Sequence, residues 1–135
     1  MPSRPFYELS LAAGRALLWP RIDPAGALGF ASCPRWEDLR EGRYGVLSPP
    51  TDRPARPLER GDLVLAPGVA FDAAGRRLGR GGGHYDRALA AAPAGVVALG
   101  VGFDFQRIDE VPVEAEDVPV DAVLTECGLL RSQPR

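Results

Sequence analysis

The stretch that decides the fold reads Asp62-Leu-Val-Leu-Ala66, then Gly75-Arg-Arg-Leu-Gly-Arg-Gly-Gly-Gly-His-Tyr-Asp86, then Val96-Val-Ala-Leu-Gly-Val101. The first and last pieces are short apolar runs bounded by Pro67 and Gly95, the pattern of buried strands. Between them, His84–Ala92 (HYDRALAAA) has high helix propensity and stops before Pro93. Strand, loop, helix and strand in this order predict a right-handed βαβ unit over a parallel sheet. Ligands of such sheets bind at the carboxyl ends of the strands. The loop from Asp72 to Gly83 and the acidic loop after Val101 both leave strands at that edge.

Working outward, Ala122–Thr125 is a last short strand. Upstream, Pro5–Ala13 carries a weak helical pattern ending at Gly14. Ala16–Trp19, closed by Pro20, predicts a buried strand. Leu28–Cys33 predicts a small strand and Trp36–Leu39 a helical turn within a turn-rich stretch from Asp23 to Gly45. Four prolines between Ser48 and Arg60 predict an extended surface connection. A chain of 135 residues predicts a single domain, 1–135, with one core.

The net charge of −2 gives no reason to expect nucleic acid or a membrane surface as partner. No apolar run reaches the roughly 20 residues of a membrane span. The first ten residues lack a signal-peptide pattern, so the cytoplasm is the expected location. Cys33 and Cys127 show no metal-ligand spacing and are expected to be reduced, partly buried thiols.

All 16 basic residues are arginine. With no lysine, neither a Schiff base nor a P-loop lysine is available, and cationic contacts must be guanidinium contacts suited to phosphate or carboxylate. The glycine loop places Arg76, Arg77 and Arg80 among five glycines between Gly75 and Gly83. Glycines let the backbone approach an anion closely, and the following helix presents unpaired N–H groups. This suits a polyphosphate; a solvated arginine loop is the alternative. The loop is neither a Walker A motif nor a dinucleotide fingerprint. From Asp104 to Asp121 there are seven carboxylates against one arginine, Arg107. Such a run is ordinarily a solvated face, but beside a polyphosphate it could supply the one or two carboxylates that Mg²⁺ takes. Asp86 is a further candidate, with stabilisation of the helix N-terminus as its alternative role. His84 is the only histidine and makes no metal site by itself. Tyr85 reads as core or pocket wall.

The string from Pro67 to Arg87 (PGVAFDAAGRRLGRGGGHYDR) resembles the signature of 5-formyltetrahydrofolate cyclo-ligases, also called 5,10-methenyltetrahydrofolate synthetases. Weaker matches flank it in order: Gly14-Arg15 to Pro20-Arg21; Gly45-Val-Leu-Ser-Pro49, with Ser48 where glutamate is common; and Gln106, Val111-Pro112, Asp117 and Val120-Asp121. The resemblance runs from about Leu9 to Glu126. It implies a three-layer α/β/α fold with a mainly parallel sheet, like ribose-5-phosphate isomerase and CoA-transferase proteins, and an enzyme that uses ATP and Mg²⁺ to convert 5-formyltetrahydrofolate to 5,10-methenyltetrahydrofolate. It also implies that Arg77, Gly79, Arg80, Gly81, Gly82, Gly83, His84, Tyr85 and Asp86 form the ATP site. Arg80 and Tyr85 would take catalytic roles, and Asp86 and Asp117 would position Mg²⁺. His84 and Gly82 stand where the family often has tyrosine and sometimes lysine. Against the family pattern, a first strand and a basic helix are expected to be missing from the front of this chain, and a homodimer covering the resulting sheet edge is a further expectation. A relative that binds a nucleotide or other phosphorylated ligand without catalysis is the alternative reading. An isomerase-like activity has only fold analogy behind it.

Overall fold

The computed structural model describes residues 4–42 and 45–133. Arg43 and Tyr44, within the stretch expected to be turn-rich, lie outside the described residues. The chain divides into two compact units, Met1–Pro57 and Leu58–Arg135.

The first unit opens with α1 (Arg4–Ala12), as the periodicity predicts. Three strands follow in an antiparallel sheet of order β1 (Leu18–Ile22), β2 (Leu28–Ser32), β5 (Ala55–Arg56). β1 lies two residues later than expected and contains Pro20. It is an edge strand, and a proline there costs no hydrogen bond on the free side. β5 lies within the proline-rich stretch expected to be an extended surface connection, and pairs two of its residues with β2. A short pair, β3 (Arg40–Glu41) and β4 (Leu47–Ser48), completes the unit. Tyr7, Trp19, Cys33 and Leu39 are buried together, with Trp36 half-buried against them. The three aromatic rings lie 5.5–6.0 Å apart in tilted and edge-on pairs.

In the second unit the predicted strand–helix–strand order is present. β6 (Leu63–Pro67) is followed by a hairpin of β7 (Ala70–Phe71) and β8 (Arg77–Leu78), then α2 (His84–Ala90) and β9 (Val97–Val101). β10 (Ala122–Thr125) and β11 (Gly128–Arg131) close the chain. The sheet order is β11-β10-β9-β6, with β6, β9 and β10 mutually parallel and β11 antiparallel to β10. The hairpin and β11 are additions to the sequence reading. The strands are two and four residues long, below the length at which alternation can be recognised.

Three further expectations are corrected. One core over residues 1–135 becomes two clusters, one in each unit. β6 and β9 are not buried on both faces: Val64, Ala66, Ala98 and Gly100 are buried, while Leu63 and Val97, paired across the two strands, are exposed. The three layers are not all present, since among the described residues the second unit holds a single α-helix. That helix covers one face, where Tyr85 and Leu89 pack on Ala66, Phe71, Ala98, Val120 and Val123. The strand period of two puts Leu63, Leu65, Val97, Leu99, Val101 and Leu124 on the other face. There Leu63, Val97 and Leu124 stand exposed.

Phe71 organises the carboxyl edge of this sheet. Its ring is fully buried and sits against Gly68, Gly100 and Gly102. A Cβ at Gly100 would lie 2.6 Å from the ring, so the strand can accept Phe71 only as glycine.

Candidate active site at the carboxyl edge of the parallel sheet

β6 ends at Pro67 and feeds the arginine hairpin; β9 ends at Val101 and feeds the acidic loop. The two loops are bonded to each other. Asp72, buried at the tip of β7, is the hub. Its Oδ1 accepts the N–H groups of Ala74 and Arg76, and its Oδ2 accepts that of Val111 at 2.9 Å and Arg76 Nε at 2.6 Å. Burial pushes the Asp72 carboxyl up, but the N–H donors of Val111, Arg76 and Ala74 and the Arg76 guanidinium outweigh it and hold the group below its ordinary value. Arg76 reaches across to Glu110 at 3.1 Å, and Ile108 N–H donates to Phe71 C=O.

The residues expected to hold phosphates fall into two groups. Arg77 is committed inside the unit: Nη1 donates to Pro67 C=O at 3.1 Å, and Nη2 pairs with Asp86 Oδ1 at 2.9 Å. Its side chain is 4% exposed, and its Nε is buried without a partner. Arg80 differs. It is exposed and has no hydrogen bond or ion pair among the described residues. It stands between Gly79 and Gly81, whose φ is +90° with open space where a side chain would be. Gly83 adopts a left-handed conformation at φ +60° immediately before α2. Gly82 lies against the His84 ring, and His84 Nδ1 is 3.0 Å from Arg87 Nη2.

Tyr85 is half-buried on the core, and the Arg77 guanidinium lies 5.8 Å from its ring centroid. Burial pushes its phenol above the ordinary tyrosine range against the opposing charge of Arg77, so it is protonated at neutral pH.

The acidic loop is not a cluster. Among the described residues no group of three or more His, Cys, Asp or Glu side chains gathers as a metal site. Asp104 pairs with Arg107, Asp117 Oδ2 accepts Glu114 N–H, and Asp121 Oδ2 accepts Ala98 N–H. Asp86 Oδ1 accepts the N–H of Val118, which follows Asp117 in the chain. Asp86 Oδ2 and Asp117 Oδ1 accept no hydrogen bond among the described residues. Two carboxylates with one free oxygen each suit a cation whose remaining ligands are water and phosphate oxygens.

Gln106, in one of the matched motifs, has a part that the sequence reading did not assign to it. Its amide accepts Phe103 N–H and donates to the C=O groups of Gly68 and Val69, tying the acidic loop to the entrance of the hairpin. A cavity of about 210 Å³ lies elsewhere, at the C-terminal end of α2, lined by Leu89, Pro93, Val96 and Val118 among others. The glycine loop is at the opposite end of that helix.

Comparison with known proteins agrees with the motif reading. Residues 2–126 match the 5-formyltetrahydrofolate cyclo-ligase family. The cyclo-ligase of Escherichia coli K12 is 36% identical over 129 residues, which cover 93% of this chain and 71% of that protein. The cyclo-ligase of Mycolicibacterium smegmatis is 38% identical over 121 residues, 85% of this chain and 62% of that protein. Among solved structures, Aquifex aeolicus 5,10-methenyltetrahydrofolate synthetase superposes with a TM-score of 0.78 at 30% identity; 97% of this chain covers 65% of that one. The Mycoplasma pneumoniae synthetase, with a TM-score of 0.60 at 18% identity, shares the fold. This chain therefore belongs to the 5-formyltetrahydrofolate cyclo-ligase family.

Proposed function

We propose that this chain carries out the ATP-dependent closure of 5-formyltetrahydrofolate to 5,10-methenyltetrahydrofolate, releasing ADP and phosphate, in the cytoplasm. No helix of the structure is long and apolar enough to cross a membrane. The observation that carries the reading is Arg80: an unpaired guanidinium between glycines, inside the longest family motif of the chain.

ATP supplies the phosphoryl group that turns the formyl oxygen of the substrate into a leaving group, after which N10 attacks the formyl carbon and phosphate departs. Phosphoryl transfer asks a protein mainly for positioning and charge neutralisation. Arg80 supplies an exposed positive charge with free donors for phosphate oxygens. Gly81 keeps the backbone beside it unobstructed. Asp86 and Asp117 offer one free carboxylate oxygen each to Mg²⁺. Arg77 holds Asp86 in place and Tyr85 walls the site, a division of labour that moves Arg77 from ligand to positioning residue.

Formation of methenyltetrahydrofolate can be followed by its absorbance. Product is expected with ATP and Mg²⁺ together and not with either omitted. Absence of product at any ATP concentration, with folded protein, would overturn the assignment of activity.

A further inference from the structure

The loop after β9 carries a pair of aromatic rings that the catalytic reading leaves unused. Phe103 and Phe105 lie parallel, 8° apart, with centroids 5.7 Å apart. They are 53% and 81% exposed. Single exposed apolar side chains are common and mean little. These two are stacked, and the turn that displays them is clamped. Phe103 N–H donates to Gln106 Oε1 at 2.8 Å, and Gln106 N–H closes the 3₁₀ turn Asp104–Gln106 on Phe103 C=O. Asp104 N–H donates to Glu126 at 2.8 Å, and the Asp104 carboxylate is neutralised by Arg107 at 2.9 Å. The same Gln106 bonds to Gly68 and Val69 at 3.1 and 3.0 Å. Those two residues lead directly into the β7–β8 hairpin, which Arg80 follows by two residues, and Val69 N–H is itself bonded to Leu78 C=O.

The ring pair and the arginine loop thus form one hydrogen-bonded assembly at the carboxyl edge of the sheet. One end offers a charged donor, the other a preordered, uncharged aromatic face. Burying a further ring against Phe105 removes apolar surface from water and orders little that is not already ordered.

We propose that Phe103 and Phe105 form a stacking platform for a planar heteroaromatic ring of the substrates: the purine of the nucleotide or the pteridine of the folate. This rests on the function proposed above and adds to it where a ring would lie. Both sources share the chemistry, and their phosphate and glutamate ends give the means to tell them apart.

The test is calorimetry on the whole chain and on Phe105→Ala and Phe105→Tyr. ADP is compared with inorganic tripolyphosphate, and 5-formyltetrahydrofolate with p-aminobenzoylglutamate, which lacks the pteridine. Phe105→Ala is expected to weaken one ring-bearing ligand by about five- to a hundredfold, the loss typical of one base–aromatic stack. Its ring-free counterpart should be unaffected, and Phe105→Tyr should bind as the native chain does. Loss for ADP assigns the purine, loss for the folate the pteridine. Unchanged affinity for both, or equal loss with and without the ring, overturns the platform while leaving the proposed activity standing. A native chain that binds neither nucleotide nor folate overturns both.

Discussion

The hairpin loop and the acidic loop sit side by side with opposite charge, and both look from their composition like ligand sites. The structure treats them alike: it spends most of their charge on holding the chain together. Of the three arginines in the hairpin loop, Arg76 is paired with Asp72 and Glu110, and Arg77 is buried on Asp86. Of the acidic residues, Asp104, Glu110, Asp117 and Asp121 each accept a bond from within the unit. What differs is the remainder. The hairpin keeps one whole unpaired side chain, Arg80. The acidic loop keeps Asp109, Glu114 and Glu116, exposed and with no side-chain hydrogen bond or ion pair among the described residues, besides single carboxylate oxygens on Asp117 and its neighbour Asp86. Charge density along a sequence is therefore a poor guide to a site; charge left over after folding is a better one.

The largest effect that follows is on stability, at Arg77. Removing one partner of a buried ion pair leaves the other charge uncompensated, a cost of about 3–5 kcal/mol. Arg77→Ala is expected to unfold at markedly lower urea concentration than the native chain, with Asp86→Asn falling between them. If Arg77→Ala instead keeps its stability and loses only nucleotide affinity, Arg77 is a ligand and the separation from Arg80 collapses.

Asp72 joins the two loops and is the next largest. Asp72→Asn removes a charged acceptor of four hydrogen bonds from a buried site and is expected to cost about 2–3 kcal/mol at neutral pH. The effect carries a pH signature. The folded carboxyl titrates below its unfolded value of about 4, so its contribution is full above that value and is lost as pH falls through the folded pKa. Denaturation curves of native and Asp72→Asn chains should converge on acidification below about pH 4. Parallel curves would mean that Asp72 is not the charged clasp between the loops.

Arg80 should behave in the opposite way. It is exposed and unpaired, so Arg80→Ala is expected to leave the melting temperature unchanged and to weaken ATP binding by about 2 kcal/mol, the scale of a charge-assisted hydrogen bond. Calorimetry showing native affinity would remove the principal support for the phosphate site.

How much of this was legible beforehand varied with the length scale of the signal. The β6–α2–β9 unit could be read because each piece is a run of five or more residues with flanking Pro or Gly. The β7–β8 hairpin could not, since two-residue strands have no period and their pairing depends on Asp72 folding back on Arg76. In the site, the glycine and arginine content marked the loop and Arg80 within it, the start of the helix marked Asp86, and the family motif narrowed their roles. Nothing local distinguishes Arg77 from Arg80, three residues apart in the same motif. Their fates are decided by Pro67 and Asp86, ten and nine residues from Arg77, and by burial. The uncovered sheet face was equally hidden: Leu63-Val-Leu-Ala66 reads as buried on both sides, and which side is covered depends on where α2 docks.

The smallest effect concerns Asp117, and it decides whether the acidic loop has any ligand role. Its Oδ2 accepts one bond, from Glu114 N–H at 2.8 Å, in a turn that an asparagine carbonyl can satisfy equally well. Asp117→Asn is therefore expected to change stability by no more than about 0.5 kcal/mol, as for a surface substitution. Its charge is another matter. A carboxylate with one free oxygen, linked through Val118 N–H to Asp86, contributes to Mg²⁺ affinity only if the cation sits between the two. Titrating Mg²⁺ into native and Asp117→Asn chains at fixed ADP should show a higher Mg²⁺ requirement in the variant. Glu110→Gln serves as the control, because Glu110 is 67% exposed and faces Arg76, so its loss should not move the Mg²⁺ curve. A shift in the control as large as in Asp117→Asn would reduce the effect to net charge. Coincident curves for Asp117→Asn and the native chain would make Asp117 a turn cap and would leave the acidic loop without a part in holding Mg²⁺.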